Sequence, residues 1–167
     1  MSKKLKEKKL KKKLDGKKMK KQQNRLSVFS NMLHVSLQYL KQLEENTPEE
    51  KKYYEKISGE LIQLFHLYRK RVLKKYYDIY GGPTPFDEKI DDIKLEPTTY
   101  EECISEYNAL VNMFRCAHRY WYTQNFTTLE EEKTYFKIIE EYRKVYHFYE
   151  KELFSKMEKF YKRLNYS

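Results

Sequence analysis

Chain breakers are scarce in this sequence. Of four glycines and four prolines in 167 residues, five (Gly81, Gly82, Pro83, Pro85 and Pro97) fall within residues 81–97. A chain that gathers its breakers in one place reads as continuous secondary structure on either side of it. Cysteine is scarcer still. Cys103 and Cys116 are the only two, with no CxxC pair. On one helix they stand ~20 Å apart, too far for an intramolecular disulfide; the simplest reading of both is a small buried hydrophobe. No run approaches the ~18–20 apolar residues of a membrane span, and no apolar segment of the secretory kind follows the charged N-terminus. These absences predict an intracellular, reduced protein, nuclear or cytoplasmic, without a membrane span.

Catalytic and metal-binding patterns are also missing. Gly81-Gly82-Pro83 has neither the Lys-Ser/Thr nor the preceding strand of a P-loop. There is no GxSxG and no Cys–His pairing that spacing supports. The acids from Asp87 to Asp92 lack the glycine and spacing of an EF-hand loop. One histidine on each predicted helix (His34, His66, His118, His147) invites a metal reading. Carboxylate-bridged metal bundles need Glu-x-x-His, but the residues three before each histidine are Asn31, Gln63, Arg115 and Lys144. No enzymatic activity, metal or cofactor is expected.

Aromatic residues are plentiful: 16% of the chain, with 17 Tyr and 9 Phe. Each ring can bury ~150–250 Å², so Tyr and Phe can supply the core that a modest aliphatic content does not. Lysine greatly outnumbers arginine, which with abundant Tyr and Asn hints at an AT-rich coding genome such as that of a large virus or a protist.

Apolar residues recur at three- and four-residue spacing, the helical signature, and strand-like alternation is absent. Helix one is predicted from about Arg25 to Glu45 on Leu26, Phe29, Leu33, Leu37 and Leu40. Thr47, Pro48 and Glu50 form an N-cap, a first helical position and a capping box, opening helix two, from Pro48 to about Tyr80. Its stripe is Tyr54, Ile57, Leu61, Leu64, Phe65, Tyr68, Val72, Tyr76 and Ile79. Thr99 with Glu102 opens helix three, which buries Tyr100, Ile104, Tyr107, Leu110 or Val111, Phe114, Ala117 and Trp121 and ends near Gln124. Thr127 or Thr128 opens helix four, which runs on Tyr135, Ile139, Tyr142, Tyr146, Tyr149, Leu153, Met157, Phe160 and Leu164. The expected fold is all-α, an antiparallel four-helix bundle (up-down-up-down) over residues 26–167, with a long acidic connection at 81–98 and a short helical turn near Asp87–Ile93. At ~1.5 Å per residue, helices two and four outrun the others. They protrude, or the N-terminal segment extends helix one beside them.

That segment, residues 1–25, holds thirteen basic residues against Glu7 and Asp15, a net +11; residues 26–167 carry 22 basic and 23 acidic residues, a net −1. The excess charge of the whole chain therefore sits in one terminal tail. Its apolar residues, Leu5, Leu10, Leu14 and Met19, do not share a helical face. A solvated, disordered arm and an extension of helix one are both open. In the expected bundle, basic residues near the ends of helices two and four gather at the tail's root. The candidate polyanion-binding set is Lys3, Lys4, Lys6, Lys8, Lys9, Lys11, Lys12, Lys13, Lys17, Lys18, Lys20, Lys21 and Arg25, with Arg69, Lys70, Arg71, Lys74, Lys75, Lys159, Lys162 and Arg163. Acidic helix starts and basic helix ends are also what the macrodipole favours, but the tail lies outside that account. The acids of the 81–98 connection fall at the same pole and could mask its lysines. Arg119-Tyr120-Trp121-Tyr122 and Lys74-Lys75-Tyr76-Tyr77 pair cations with aromatics as single-strand grooves do, although a core ring beside a surface tyrosine is the plainer reading.

The expected function is non-specific binding of RNA, DNA or a ribonucleoprotein through the tail and the adjoining basic pole, with a loose resemblance of the lysine blocks to nuclear-import signals. The alternative is a protein–protein adaptor or assembly subunit, of a virion or other large particle, in which exposed aromatics dock a partner. Attachment to anionic membrane draws on the same lysines but lacks an apolar face.

Overall fold

The computed structural model describes residues 3–81 and 94–166. Among the described residues four helices follow one another: α1 (Lys3–Gln42), α2 (Pro48–Tyr80), α3 (Tyr100–Tyr122) and α4 (Leu129–Tyr166). No strand occurs among the described residues. The all-helical class and the number of helices agree with the sequence reading.

Local chemistry sets most of the helix ends. Thr47 is extended, and its hydroxyl accepts the Glu50 N–H at 3.2 Å while the Glu50 carboxylate accepts the Thr47 and Asn46 N–H groups. Thr128 and Glu131 repeat this box at α4, and Thr127 N–H also donates to Glu131. At α3 the Thr99 hydroxyl accepts the Glu102 N–H, but Glu102 reaches back one residue further, to the Thr98 N–H at 2.7 Å. That bond, with Lys94 beside it, holds the Glu102 carboxyl down to about 2. α2 stops at Gly81, whose φ of 70° lies in the left-handed region open to glycine and whose N–H donates to the Tyr77 carbonyl at 2.8 Å.

α1 begins at Lys3, the extension of helix one that is one of the two readings of residues 1–25, and it ends at Gln42 rather than Glu45. Residues 3–26 contain no proline and no β-branched residue, and Lys, Leu, Met and Gln are good helix formers. Packing secures the second half of this stretch. Met19 is buried, and a Cβ on Gly16 would stand 3.6 Å from the Tyr80 hydroxyl, so α1 runs alongside the end of α2. The first turns have no such support: Leu5, Leu10 and Leu14 are 47–70% exposed.

α1 and α3 pack most extensively, whereas the Cα atoms of α2 and α4 come nowhere within 8 Å of each other. The fully buried Ser36 marks the α1–α3 approach, its hydroxyl lying 2.6 Å from the Met32 carbonyl and 2.8 Å from that of Met113. α2 and α4 meet through large rings. Tyr68 and Tyr149 lie 4.0 Å apart between centroids, and Phe29 of α1 meets both edge-on at 4.9 and 5.4 Å. Several assigned core residues move. On α3 the buried set is Cys103, Ala109, Leu110, Met113 and Ala117, so Ile104, which lies one residue round from Cys103, is 37% exposed. Ile79 and Leu164 are exposed because they lie near the ends of α2 and α4, beyond Val72 and Leu153, the last buried residues of those helices.

Candidate functional site

α3 is the shortest helix, and a groove opens beside its start. Arg71 of α2 meets Glu106 in the second turn of α3, and Tyr107 donates to Glu150 of α4 at 3.1 Å. Past these contacts α2 runs on to Tyr80 and α4 to Tyr166. The groove between them has a volume of about 730 Å³. Its walls are Arg71, Lys74, Lys75 and Asp78 from α2, and Phe148, Lys151, Glu152, Ser155, Lys156 and Lys159 from α4. Leu95 and Glu96, from the segment leading into α3, complete it. Six cations against three acids leave the lining at +3.

One wall is fixed by a buried ion pair. The Arg71 guanidinium donates to both Glu106 carboxylate oxygens, at 2.6 and 3.0 Å, and through Nε to the Leu95 carbonyl at 2.6 Å; the two side chains are 12% and 7% exposed. Burial pushes the Arg71 pKa down, but Glu106 outweighs it, so the guanidinium holds its proton more firmly than usual. The guanidinium also lies 5.1 Å from the Tyr68 ring, and burial together with the nearby Glu106 charge raises that phenol's pKa well above its ordinary value. Leu95 is thus tied to α2. Its neighbour Glu96 is tied to α4: the Lys156 ammonium donates to one carboxylate oxygen, while the other lies 3.8 Å from Arg71 Nε. Partial burial pushes the Glu96 carboxyl up, and Lys156, Arg71 and Lys75 more than offset it, leaving its pKa below the usual carboxylate value. Lys74, Lys75, Lys151 and Lys159 are exposed.

The candidate basic residues fall into three groups. Arg71, Lys74, Lys75 and Lys159 come together in the groove. Lys4, Lys6, Lys8, Lys9, Lys11, Lys12, Lys13, Lys17, Lys18, Lys20 and Lys21 are exposed along α1, which Lys3 opens. The rest are dispersed. Arg69 lines a shallow pocket between α1 and α2 with Gln23, Asn31, His34 and Phe65. Lys70 is half-buried on α2, Lys162 pairs with Glu158 at 2.7 Å, and Arg163 lies 5.9 Å from the Phe160 ring. Arg25 is not a free tail residue: its guanidinium sits 3.4 Å over the ring of Phe148, which also lines the groove. Sequence reasoning missed Phe148 and Lys151 as groove residues and left Lys156 out of the binding set. The signal was present in Phe148, Lys151, Glu152, Ser155 and Lys159, which recur at helical spacing beside the Tyr149–Leu153 core stripe. Of the acids in the 81–98 connection, Glu96 is the one seen in the groove; Asp87, Glu88, Asp91, Asp92 and the expected turn at 87–93 lie outside the described residues.

Other candidates are accounted for locally. Trp121 is half-buried and donates from Nε1 to the Tyr142 hydroxyl at 3.2 Å, leaving Tyr122 77% exposed. Cys103 is buried and Cys116 half-buried, both as free thiols whose pKa burial raises. Among the described residues no three His, Cys, Asp or Glu side chains are grouped to hold a metal ion, and no helix is long and apolar enough to cross a membrane. No protein-family model, curated protein or solved structure matches this chain, so the groove is to be read from its own residues.

Proposed function

We propose that this chain is a non-catalytic helical module that binds nucleic acid or a ribonucleoprotein through its phosphates, using the lysines of the first turns of α1 together with the groove between α2 and α4. One observation carries the reading. Twelve lysines crowd the N-terminal half of α1, and no acid stands in its first turn. A helix N-terminus already bears about half a positive charge and favours acidic residues there. Charge so placed works against the helix unless an external anion neutralises it. The groove adds a second cationic surface with Phe148 in its wall.

An alternating up-down-up-down order supports one continuous basic pole. Phe29 meets Tyr68 and Gly16 meets Tyr80, as oppositely directed α1 and α2 require. Trp121 meets Tyr142 and Tyr107 meets Phe154, as oppositely directed α3 and α4 require. In that order the lysine-rich turns and the groove share one end, and Glu44, Glu45, Glu49, Glu50, Glu130, Glu131 and Glu132 share the other.

Phosphate neutralisation releases counterions, so binding should be poorly sequence-specific and steeply salt-dependent, with a log–log slope of about −0.7 per phosphate on single strands. The test is fluorescence anisotropy of a labelled single-stranded 20-mer from 50 to 300 mM salt. The comparison is the full chain against a variant with Lys4, Lys6, Lys8, Lys9, Lys11, Lys12 and Lys13 changed to Gln, which preserves helix propensity. The variant should bind far more weakly and with a shallower slope. Equal binding by the two proteins, or binding indifferent to salt, refutes the tail's role. Deleting residues 1–25 is a poorer test, because Met19 and Arg25 contribute to packing.

A second reading, a protein–protein adaptor or assembly subunit, draws on the last third of α4, where Phe154, Tyr161, Leu164 and Tyr166 are 48–87% exposed. It predicts a solution mass above that of one chain by light scattering, and cellular complexes that survive nuclease.

A further inference from the structure

A carboxylate sits inside this cationic groove without being needed there to neutralise the buried arginine. Arg71 is already bound at both terminal nitrogens by Glu106. Glu96 instead reaches in from solvent, its side chain 60% exposed, onto Lys156, which is 29% exposed. The more buried partner is the lysine, and the acid approaches it from outside, as a bound anion would. Lys75 lines the same groove.

We infer that Lys156, flanked by Lys75, forms a phosphate subsite of the groove, and that Glu96 is its built-in occupant, which a phosphate of a single-stranded nucleic acid displaces on binding. The inference rests on the polyanion reading and deepens it. Carboxylate and phosphate oxygens accept the same charge-assisted hydrogen bonds, so a phosphodiester can replace Glu96 at the Lys156 ammonium without rebuilding the site. The released side chain needs only to rotate outward, because the Leu95 carbonyl remains anchored by Arg71. Along α4, Lys151 to Lys159 spans ~12 Å, room for about three phosphates at the ~3.4 Å rise of a stacked strand. Lys156 lies within that span. Asp78 and Glu152 are the other acids facing the groove, so Glu96 is the one whose removal frees an existing cation contact.

The test uses the full chain and a fluorescein-labelled oligo(dT) 20-mer, with Glu96→Gln as the main variant and Glu152→Gln as a control of equal charge change. Glu96→Gln should bind about three- to five-fold more tightly at 100 mM salt, roughly what a partly exposed ion pair is worth. Its salt slope should stay within about 0.7 of that of the unaltered chain, because the same phosphate is neutralised in both complexes. Glu152→Gln should shift affinity less. Adding Lys156→Gln should abolish the gain. If Glu96→Gln matches the unaltered chain while the tail Lys→Gln variant loses binding, the subsite inference fails and the polyanion reading stands. An equal gain from Glu152→Gln, or a gain that persists without Lys156, also overturns the subsite. If neither the unaltered chain nor Glu96→Gln binds, the polyanion reading fails and takes the subsite with it.

Discussion

Replacing Glu106 by Ala should be among the most damaging single changes in this fold. Glu106 is 7% exposed and accepts two hydrogen bonds from Arg71, itself 12% exposed. Removing it leaves a buried guanidinium with the Leu95 carbonyl, the more distant Glu96 and the face of the Tyr68 ring to answer its charge. Breaking a buried pair in this way costs ~3–5 kcal/mol, because the remaining charge is desolvated without compensation. For a chain of this size ~1 kcal/mol corresponds to ~2–4 °C in Tm, so the melting point should fall by roughly 6–20 °C. Urea unfolding followed by circular dichroism measures the loss directly. The double variant Arg71→Met, Glu106→Leu separates the causes. If the damage comes from the orphaned charge, apolar replacement of both partners should recover most of it, since such swaps are often neutral or stabilising. A Glu106→Ala variant within 1 kcal/mol of the unaltered protein, or a double variant as unstable as the sum of its singles, refutes the reasoning.

Three further outcomes are expected. Gly59 lies mid-helix in α2 with nothing within 4 Å of an added Cβ, so Gly59→Ala should stabilise by about 0.5–1 kcal/mol, read as a higher urea midpoint. Thr47→Ala removes the hydroxyl that accepts the Glu50 N–H and should lower stability by about 1 kcal/mol in the same assay. Burial pushes the Glu150 carboxyl up, but bonds from Tyr146, His147 and Tyr107 leave its pKa below the usual value; its contribution is therefore complete above the unfolded carboxyl pKa of ~4.3 and is lost as pH falls through the lower folded value. Urea midpoints from pH 6 down to pH 3 should fall less steeply in Glu150→Gln, and identical profiles would argue against this assignment.

What could be read from the sequence was what local chemistry decides. Thr47-Pro48-x-Glu50 marked the start of α2, and Gly81 its end, because caps act within a few residues. The apolar rows of α2 and α4 were legible for the same reason, down to Tyr68, Tyr149 and Leu153. The reach of α1 was not. Its first 25 residues carry helix propensity without apolar periodicity, and the burial of Met19 depends on how far α2 extends beside it. The choice of Cys103 over Ile104 turned on the rotation of α3 by a single position, which partners set and spacing does not. The groove was the least legible element. It exists because α3 starts late and α2 stays apart from α4, neither of which is written in any one segment. Four of its six cations could be listed in advance, while Lys151 and Lys156 acquire meaning only once Leu95 and Glu96 are seen docked between the helices.

The tyrosine-rich core also bears on how uniquely the helices are aligned. Aliphatic side chains grip equally well after one helix slides by a turn, since one methyl group substitutes for another. Phenols do not. The Tyr142 hydroxyl meets Asn31 of α1 and Trp121 of α3 at the same height, and those of Tyr107 and Tyr146 converge on one oxygen of Glu150. A one-turn slip of α4 would separate both sets at once and break these hydrogen bonds. Tyr107, Tyr142 and Tyr146 thus act as a vernier, rewarding one axial alignment and penalising its neighbours beyond what the aliphatic contacts specify.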